Sequence, residues 1–393
     1  SIKKIISNTP PQLSNLVENK LLLLSTLVGL FIAYKLVGRY TASQRSKKML
    51  AIAEKKRTER DAKLNRPLPP LTINPDIKKI ILEASVTRLI ELLKAKKITS
   101  EQILITYYER TRTIGKDLEL ICETRFEEAL QEARECDKIL AKTENTDKLP
   151  LLFGIPISMK EVFLTKGLDS TYGLVALLNN PTPEDSVIVK LLKKQGAIPF
   201  VTTNIPQLLN TVESVNHIYG RSKNPWNIER SAGGSSGGEA GLIAARGSPI
   251  GLASDGGGST RIPALFCGLY GFKPTNGRVC NKGHLVATKT VRAKLMIIKP
   301  CFGPIARTVD DAILFTKAMI HPDLRLLEPE RPYLPLRDDL LDVKGKKLRI
   351  AYITNEELFP VSKAHLRAVN ESVEAFRKRG HEVFLVDKFP HFD

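Results

Sequence analysis

Residues 231–263 read SAGGSSGGEAGLIAARGSPIGLASDGGGSTRIP, and no other stretch constrains the chain as much. Two Gly–Ser clusters bracket a short apolar, helix-like segment, Ala240 to Arg246. Glycine clusters let backbone amides converge on one point, because no Cβ blocks the approach. A flexible Gly–Ser linker would not carry that apolar segment, Ile250–Ala253 or the nearby Trp226. A phosphate-binding loop would need Gly-Lys-Ser/Thr after the glycines, where Glu239 stands. Dinucleotide binding needs a strand ahead of the loop, and NPWNIERSA is a poor one. Gly233-Gly234-Ser235-Ser236-Gly237 also matches G-x-S-x-G, which would make Ser235 a nucleophile on an elbow. That elbow needs the same missing strand. It also needs a histidine from among His284, His321, His365, His381 and His391, none of which stands in a suggestive setting.

Charge points to a membrane surface. The net charge is +18, and residues 1–66 alone hold 14 Lys/Arg against 4 Asp/Glu. This excess flanks LLLLSTLVGLFIAY, an uncharged run over 21–34. Fourteen residues are short for a span. Lys35 can snorkel, however, which extends the usable stretch to about Gly38, and Tyr34 and Tyr40 suit an interface. A signal peptide, a buried core helix and an amphipathic surface helix each fit the run and its flanks less well. We therefore expect an N-terminal flank over 1–20, a transmembrane helix over 21–39 and a basic helical linker over 40–70. Lys3, Lys4 and Lys20 precede the run. Arg39, Arg45, Lys47, Lys48, Lys55, Lys56 and Arg57 follow it, which puts the long C-terminal part in the cytosol. No zinc-finger or ribonucleoprotein motif supports nucleic-acid binding. The cysteines (Cys122, Cys136, Cys267, Cys280 and Cys301) form no CxxC, read as reduced thiols and supply no metal site.

With 42% apolar and 26% charged residues, the remainder is globular. Residues 41–66 read as a solvated helix ended by Pro67, Pro69 and Pro70. A helix is expected over 76–97, with Ile80, Ile81, Leu89, Leu92 and Leu93 as its apolar residues. Another is expected over 100–114, opened by a Thr99/Gln102 capping box, and a third over 126–142. From Leu149 the texture changes. LPLLFGIPISMKEVF reads as a buried strand and a loop, 186–195 as a helix stopped by Gly196, and 197–204 as a strand. KLRIAYIT, HLRAVNESVEAFRKRG and HEVFLVD repeat strand, helix and strand. The chain begins with Ser and stops at Asp393 without a closing element, so we expect a fragment at both ends.

GGSSGGEAGLIAARGSPIGLASDGGGSTRIP closely resembles the signature of the amidase signature family, and GIPISMKEVF resembles its lysine loop. The spacing agrees as well: Lys160 and Ser235 are 75 residues apart, Ser235 and Ser259 are 24. Similarity runs from about Leu71 to the end and includes FVTTNIPQ, NPWN and GLYGFKPTNGRV. With the membrane segment, TNIPQ and FCGLYGFKPT resemble most the branch of the family that hydrolyses fatty acid amides.

The resemblance implies an α/β fold, a central twisted mixed β-sheet covered by α-helices, over 71–393 and incomplete at the C-terminus. It implies Ser259 as nucleophile, Ser235 as bridging serine after a cis peptide bond, and Lys160 as base and later acid. Ser236 would hydrogen-bond in the same network. A serine hydroxyl needs a base to take its proton, and a lysine serves only when burial keeps it neutral. Lys160 stands between apolar stretches where that desolvation is available; without the resemblance it would read as a surface charge. The Gly256, Gly257, Gly258 and Ser259 amides would hold the oxyanion. The family more often has a larger residue where Gly256 stands, a departure that leaves the backbone donor in place. Leu208, Leu209 and Asn210 would line the acyl site, with Asn210 replacing an aromatic residue, and Arg261 reads as structural. The expected substrate is a lipid amide, with the membrane as partner, a homodimer as one assembly, and neither cofactor nor nucleic acid. The expected location is the endoplasmic reticulum or another endomembrane. Two alternatives stand beside hydrolysis: a glutamine-using amidotransferase subunit of the same family, and an inactive membrane-bound scaffold.

Overall fold

Pro11–Leu64 forms one unbroken helix of 54 residues, α1, so the expected span and the basic linker are a single rod. At 1.5 Å per residue it extends about 80 Å. The computed structural model describes residues 11–280, 282, 300–329, 333–354 and 360–386. From Leu22 to Tyr40 the large apolar side chains of α1 are exposed. By length and composition this helix is able to cross a membrane. Its last turns differ from the solvated helix expected over 41–66. Ala53, Arg60 and Leu64 are buried, and Leu64 joins a core cluster with Leu104, Ile121 and Phe200.

The helix expected over 76–97 is two, α2 (Pro75–Glu83) and α3 (Val86–Lys94). Ser85 causes the break: its Oγ accepts the Arg88 amide at 3.1 Å as an N-cap, which competes with continuing the helix. The capping box expected at Thr99 opens α4 (Ser100–Arg110). Gln102 N donates to Thr99 Oγ1 at 3.1 Å, and Thr99 N donates to Gln102 Oε1 at 3.0 Å. A π-helical turn, Thr111–Gly115, follows where an α-helix was expected to 114. There Thr111 Oγ1 donates to Gly247 O at 2.7 Å.

Strand β1 (Ile121–Thr124) leads into α5 (Phe126–Lys142), which matches the expected bounds. Strand β2 (Ile155–Lys160), helix α6 (Val187–Lys194) and strand β3 (Ala197–Thr203) form the expected strand–helix–strand unit. Gly196 follows α6 at φ 83°, the left-handed conformation that ends helices and costs glycine least. Then come α7 (Gly237–Ala244), β4 (Ile250–Asp255), α8 (Arg261–Cys267), β5 (Tyr270–Gly271), β6 (Cys301–Ala306) and α9 (Val309–Met319). NPWNIERSA does contain a strand, Asn227–Ser231, but it belongs to a separate two-stranded ribbon with Lys223–Asn224. No central strand of the described residues therefore leads into Ser235.

The six strands make one mixed sheet in the order β1-β3-β2-β4-β6-β5. Its centre, β3-β2-β4, is parallel, and the remaining pairs are antiparallel. All three central strands are buried along their whole length, as parallel strands covered on both faces must be. Pro199 sits in β3 where the register slips: Ile157 pairs with Pro199 but Ser158 pairs with Val201. A proline has no N–H to donate, and a bulge is where a central strand tolerates one.

Residues Leu336–Asp393 form a second compact unit. In it β7 (Arg349–Tyr352) and β8 (Glu382–Leu385) pair in parallel, joined through α10 (Lys363–Lys378), the strand–helix–strand expected from sequence.

Candidate active site

Lys160 is the last residue of β2 and Asp255 the last of β4. These strands are parallel neighbours, so both side chains emerge at the carboxyl edge of the sheet, where open α/β sheets place their ligands. The loop 256–260 leaves β4 there and enters α8. The buried N-terminus of α7 brings Ser235 and Ser236 to the same edge.

Lys160 is fully buried, and its Nζ donates to Ser235 Oγ at 2.7 Å. It also donates to Ser254 Oγ at 3.0 Å and to Ser254 O at 3.3 Å. Burial pushes its pKa down to about 7, against the opposing pull of Asp255, Glu239 and Glu161. The Gly234–Ser235 peptide is cis. Ser236 stands at the N-cap position of α7 without a side-chain capping bond; its amide donates to Ser259 O at 3.2 Å and its hydroxyl lies 3.5 Å from Ser254 O. Ser235, Ser254, Ser259, Gly256 and Gly257 all line one cavity of about 760 Å³. Tyr172, Leu208, Leu209, Val212 and Ile262 give that cavity an apolar wall, and Asn210 adds an amide to it.

Asp255 organises the loop that carries Ser259. Its carboxylate accepts Gly258 N at 2.7 Å and Thr260 N at 3.1 Å. It also accepts Arg261 Nε and Nη2, each at 3.0 Å. Burial opposes the charge on Asp255, but Arg261 and the two amides outweigh it and hold the carboxyl down at about 2. Arg261 is thus a structural partner of this loop. The oxyanion set expected from sequence needs one correction: the Gly258 amide is spent on Asp255. The Gly256, Gly257 and Ser259 amides have no protein acceptor among the described residues. Gly258 holds φ 114°, and a Cβ there would lie 2.6 Å from Ile262 Cδ1. A Cβ on Gly257 would meet nothing within 4 Å, and one on Gly256 only Pro300 at 3.9 Å. A Cβ at Gly256 would therefore meet no clash among the described residues.

Two buried acids complete the surroundings. Glu239 on α7 accepts Thr203 Oγ1 at 2.6 Å and Ser158 Oγ, and Glu161 accepts the Thr171 amide and Tyr172 N at 3.2 Å. Burial raises both to about 8, against these bonds. Ser254, Asp255, Glu161 and Glu239 were not singled out as site residues from sequence. The signals were a lone acid in an apolar helix, an acid directly before the glycine run, and an acid directly after Lys160. None of the described cavity-lining residues is a histidine. His321 pairs with Asp323 at 3.4 Å, and His365 and His381 belong to the second unit. His284 and His391 lie outside the described residues.

The family profile described as Amidase matches residues 102–393. The chain belongs to the amidase signature family. This amidase-family chain is 33% identical over 324 residues to fatty-acid amide hydrolase 1 of Sus scrofa, covering 81% of this chain and 53% of that protein. It is 36% identical over 303 residues to vitamin D3 hydroxylase-associated protein of Gallus gallus, covering 77% and 62%. A solved structure titled fatty acid amide hydrolase superposes with a TM-score of 0.76 at 28% identity, over 86% of this chain and 62% of that one. A bacterial aryl acylamidase titled as an amidase signature enzyme superposes with a TM-score of 0.70 at 27% identity, over 78% and 62%. This family member thus spans roughly half to three-fifths of the length of these relatives.

Proposed function

We propose that the protein hydrolyses amides of fatty acids to the free acid and an amine through an acyl-enzyme on Ser259. The observation that carries this reading is the 2.7 Å hydrogen bond from a fully buried Lys160 to Ser235, on the cavity that Ser259 also lines. Neutral Lys160 accepts a proton from Ser235 as Ser235 takes that of Ser259, and Ser259 Oγ bonds to the amide carbon. The Gly256, Gly257 and Ser259 amides receive the developing negative charge on the carbonyl oxygen. When the C–N bond breaks, the proton returns from Lys160 through Ser235 to the leaving nitrogen. Water then attacks the ester, losing its proton along the same route, and the acid departs as Ser259 regains its own. Ser254 holds Lys160, Ser236 ties the start of α7 to the Ser259 carbonyl, and Asp255 with Arg261 shapes the nucleophile's loop.

A fatty acyl group is supported by the apolar wall of Tyr172, Leu208, Leu209, Val212 and Ile262, by the exposed apolar run of α1, and by the similarity to proteins named fatty-acid amide hydrolases. Each CH₂ favours an apolar phase by about 0.8 kcal/mol, so such substrates collect in bilayers. We infer that α1 crosses the membrane once, with the basic flank from Arg39 to Arg57 and the remaining chain in the cytosol, at an endomembrane. The test is hydrolysis of a long-chain amide presented in liposomes. Ser259→Ala is expected to abolish it, and Lys160→Ala to lower it by roughly 10²–10⁴-fold. A wild-type protein that binds liposomes and labels with a fluorophosphonate, yet leaves the long-chain amide intact while cleaving a short soluble one, would refute the fatty-acyl assignment.

A further inference from the structure

The buried end of α1 reaches the cavity through a chain of polar contacts. Lys56, with a side chain only 12% exposed, lies 2.6 Å from Glu123 Oε1 and 2.7 Å from Asp169 Oδ2. Glu123 is on β1, and its Oε2 accepts Asp169 N at 2.8 Å. Asp169 in turn accepts Asn179 N at 2.9 Å and Asn180 N at 2.8 Å, which pins both ends of the loop 169–180. Arg57 and Arg60 hold the same stretch of helix down. Arg57 Nη1 donates to Ile218 O at 3.1 Å, and Arg60 Nη1 donates to Ile121 O at 3.1 Å. Ile52 packs on the cluster of Cys122, Leu178, Ile218 and Tyr219.

The loop that Lys56 pins forms part of the cavity wall. Tyr172 lines the cavity, and its carbonyl accepts Leu208 N at 2.8 Å. Tyr172, Leu208 and Leu209 all have left-handed backbones, with φ of 54°, 55° and 59°. Non-glycine residues hold that conformation only where their surroundings impose it. Removing the ammonium would leave two buried carboxylates facing each other with no other ion-pair partner among the described residues, an arrangement that relaxes by opening the loop.

We propose that Lys56 is a positioning residue for the substrate cavity: through Glu123 and Asp169 it clamps the 169–180 loop to α1 and so sets the wall formed by Tyr172, Leu208 and Leu209. The membrane helix and the acyl wall are then one mechanical unit, an inference that rests on the reading of this cavity as the acyl site. Lys56→Met should loosen the wall and leave the serine and lysine groups alone. Lys55, one residue earlier, is exposed and among the described residues pairs only with Glu59, at 3.9 Å, so Lys55→Met is the matched control.

The test is hydrogen exchange of the full chain, together with kinetics on a long-chain and a short-chain amide, each normalised to the fraction labelled by a fluorophosphonate. In Lys56→Met, amides in 169–180 and 208–210 should exchange faster, whereas those of β2 and β4 should not. The long-chain kcat/KM should fall roughly tenfold or more, mainly through KM, with the short-chain value nearly unchanged. Lys56→Arg should restore much of the difference, and Lys55→Met should change neither readout. Unchanged exchange in 169–180 and 208–210, or an equal loss on both amides, would overturn the proposal. If Lys56→Met does not fold, Asp169→Asn is measured in its place, with the same two outcomes deciding. If the wild type cleaves neither amide, the functional reading fails, while the exchange comparison still decides the clamp.

Discussion

Among single residues, catalysis depends on one lysine that must be neutral. Its pKa in the folded protein lies near 7, below its ordinary 10.5. The competent form is the unprotonated one, so its fraction rises as pH increases through about 7. The acylation rate should therefore climb between pH 6 and 8 with an inflection near 7, and single-turnover kinetics on a short soluble amide would measure it. A rate that falls with rising pH over that window would mean that Lys160 works as an ammonium. The structure brings together Lys160, Ser235, Ser236 and Ser259, the residues that the resemblance to the family singled out; without that resemblance Lys160 would have read as a surface charge. Ser254 was not, because it meets Lys160 only through the pairing of β2 with β4, a register that no local pattern encodes. The spending of the Gly258 amide on Asp255 was equally hidden, since a glycine run does not say which way each N–H points.

At the scale of elements, periodicity located α5, α6 and the strand–helix–strand of the second unit, and turn chemistry located the Thr99 cap and the Gly196 stop. It missed β1, which has four residues, and β6, which pairs along its length with β4. It also treated 41–66 as solvated, because Ala53 and Leu64 are too few to make a visible stripe among so many charges. This difference has a consequence for truncation. Removing residues 1–48 should release the protein from membranes and leave its melting temperature nearly unchanged. Removing 1–64 should also strip Ala53, Lys56, Arg60 and Leu64 from the domain and lower the melting temperature markedly. Loss of one buried leucine alone costs about 2–5 kcal/mol. Equal melting temperatures for the two truncations would show that the end of α1 contributes nothing to the domain.

At the scale of the whole molecule, the sheet, the buried lysine and the serine-bearing loops form one device at the carboxyl edge of three parallel strands. Fold class was legible from sequence because a long signature fixes a family, and the family fixes a sheet order that propensity could not have supplied. The central claim is the division of labour between the two serines, since G-x-S-x-G around Ser235 admits the opposite assignment. The most direct measurement is the position of the covalent adduct after fluorophosphonate treatment, read by peptide mass spectrometry. The adduct is expected on Ser259, absent in Ser259→Ala and present but slower to form in Ser235→Ala. An adduct on Ser235 would contradict it and make Ser235 the nucleophile.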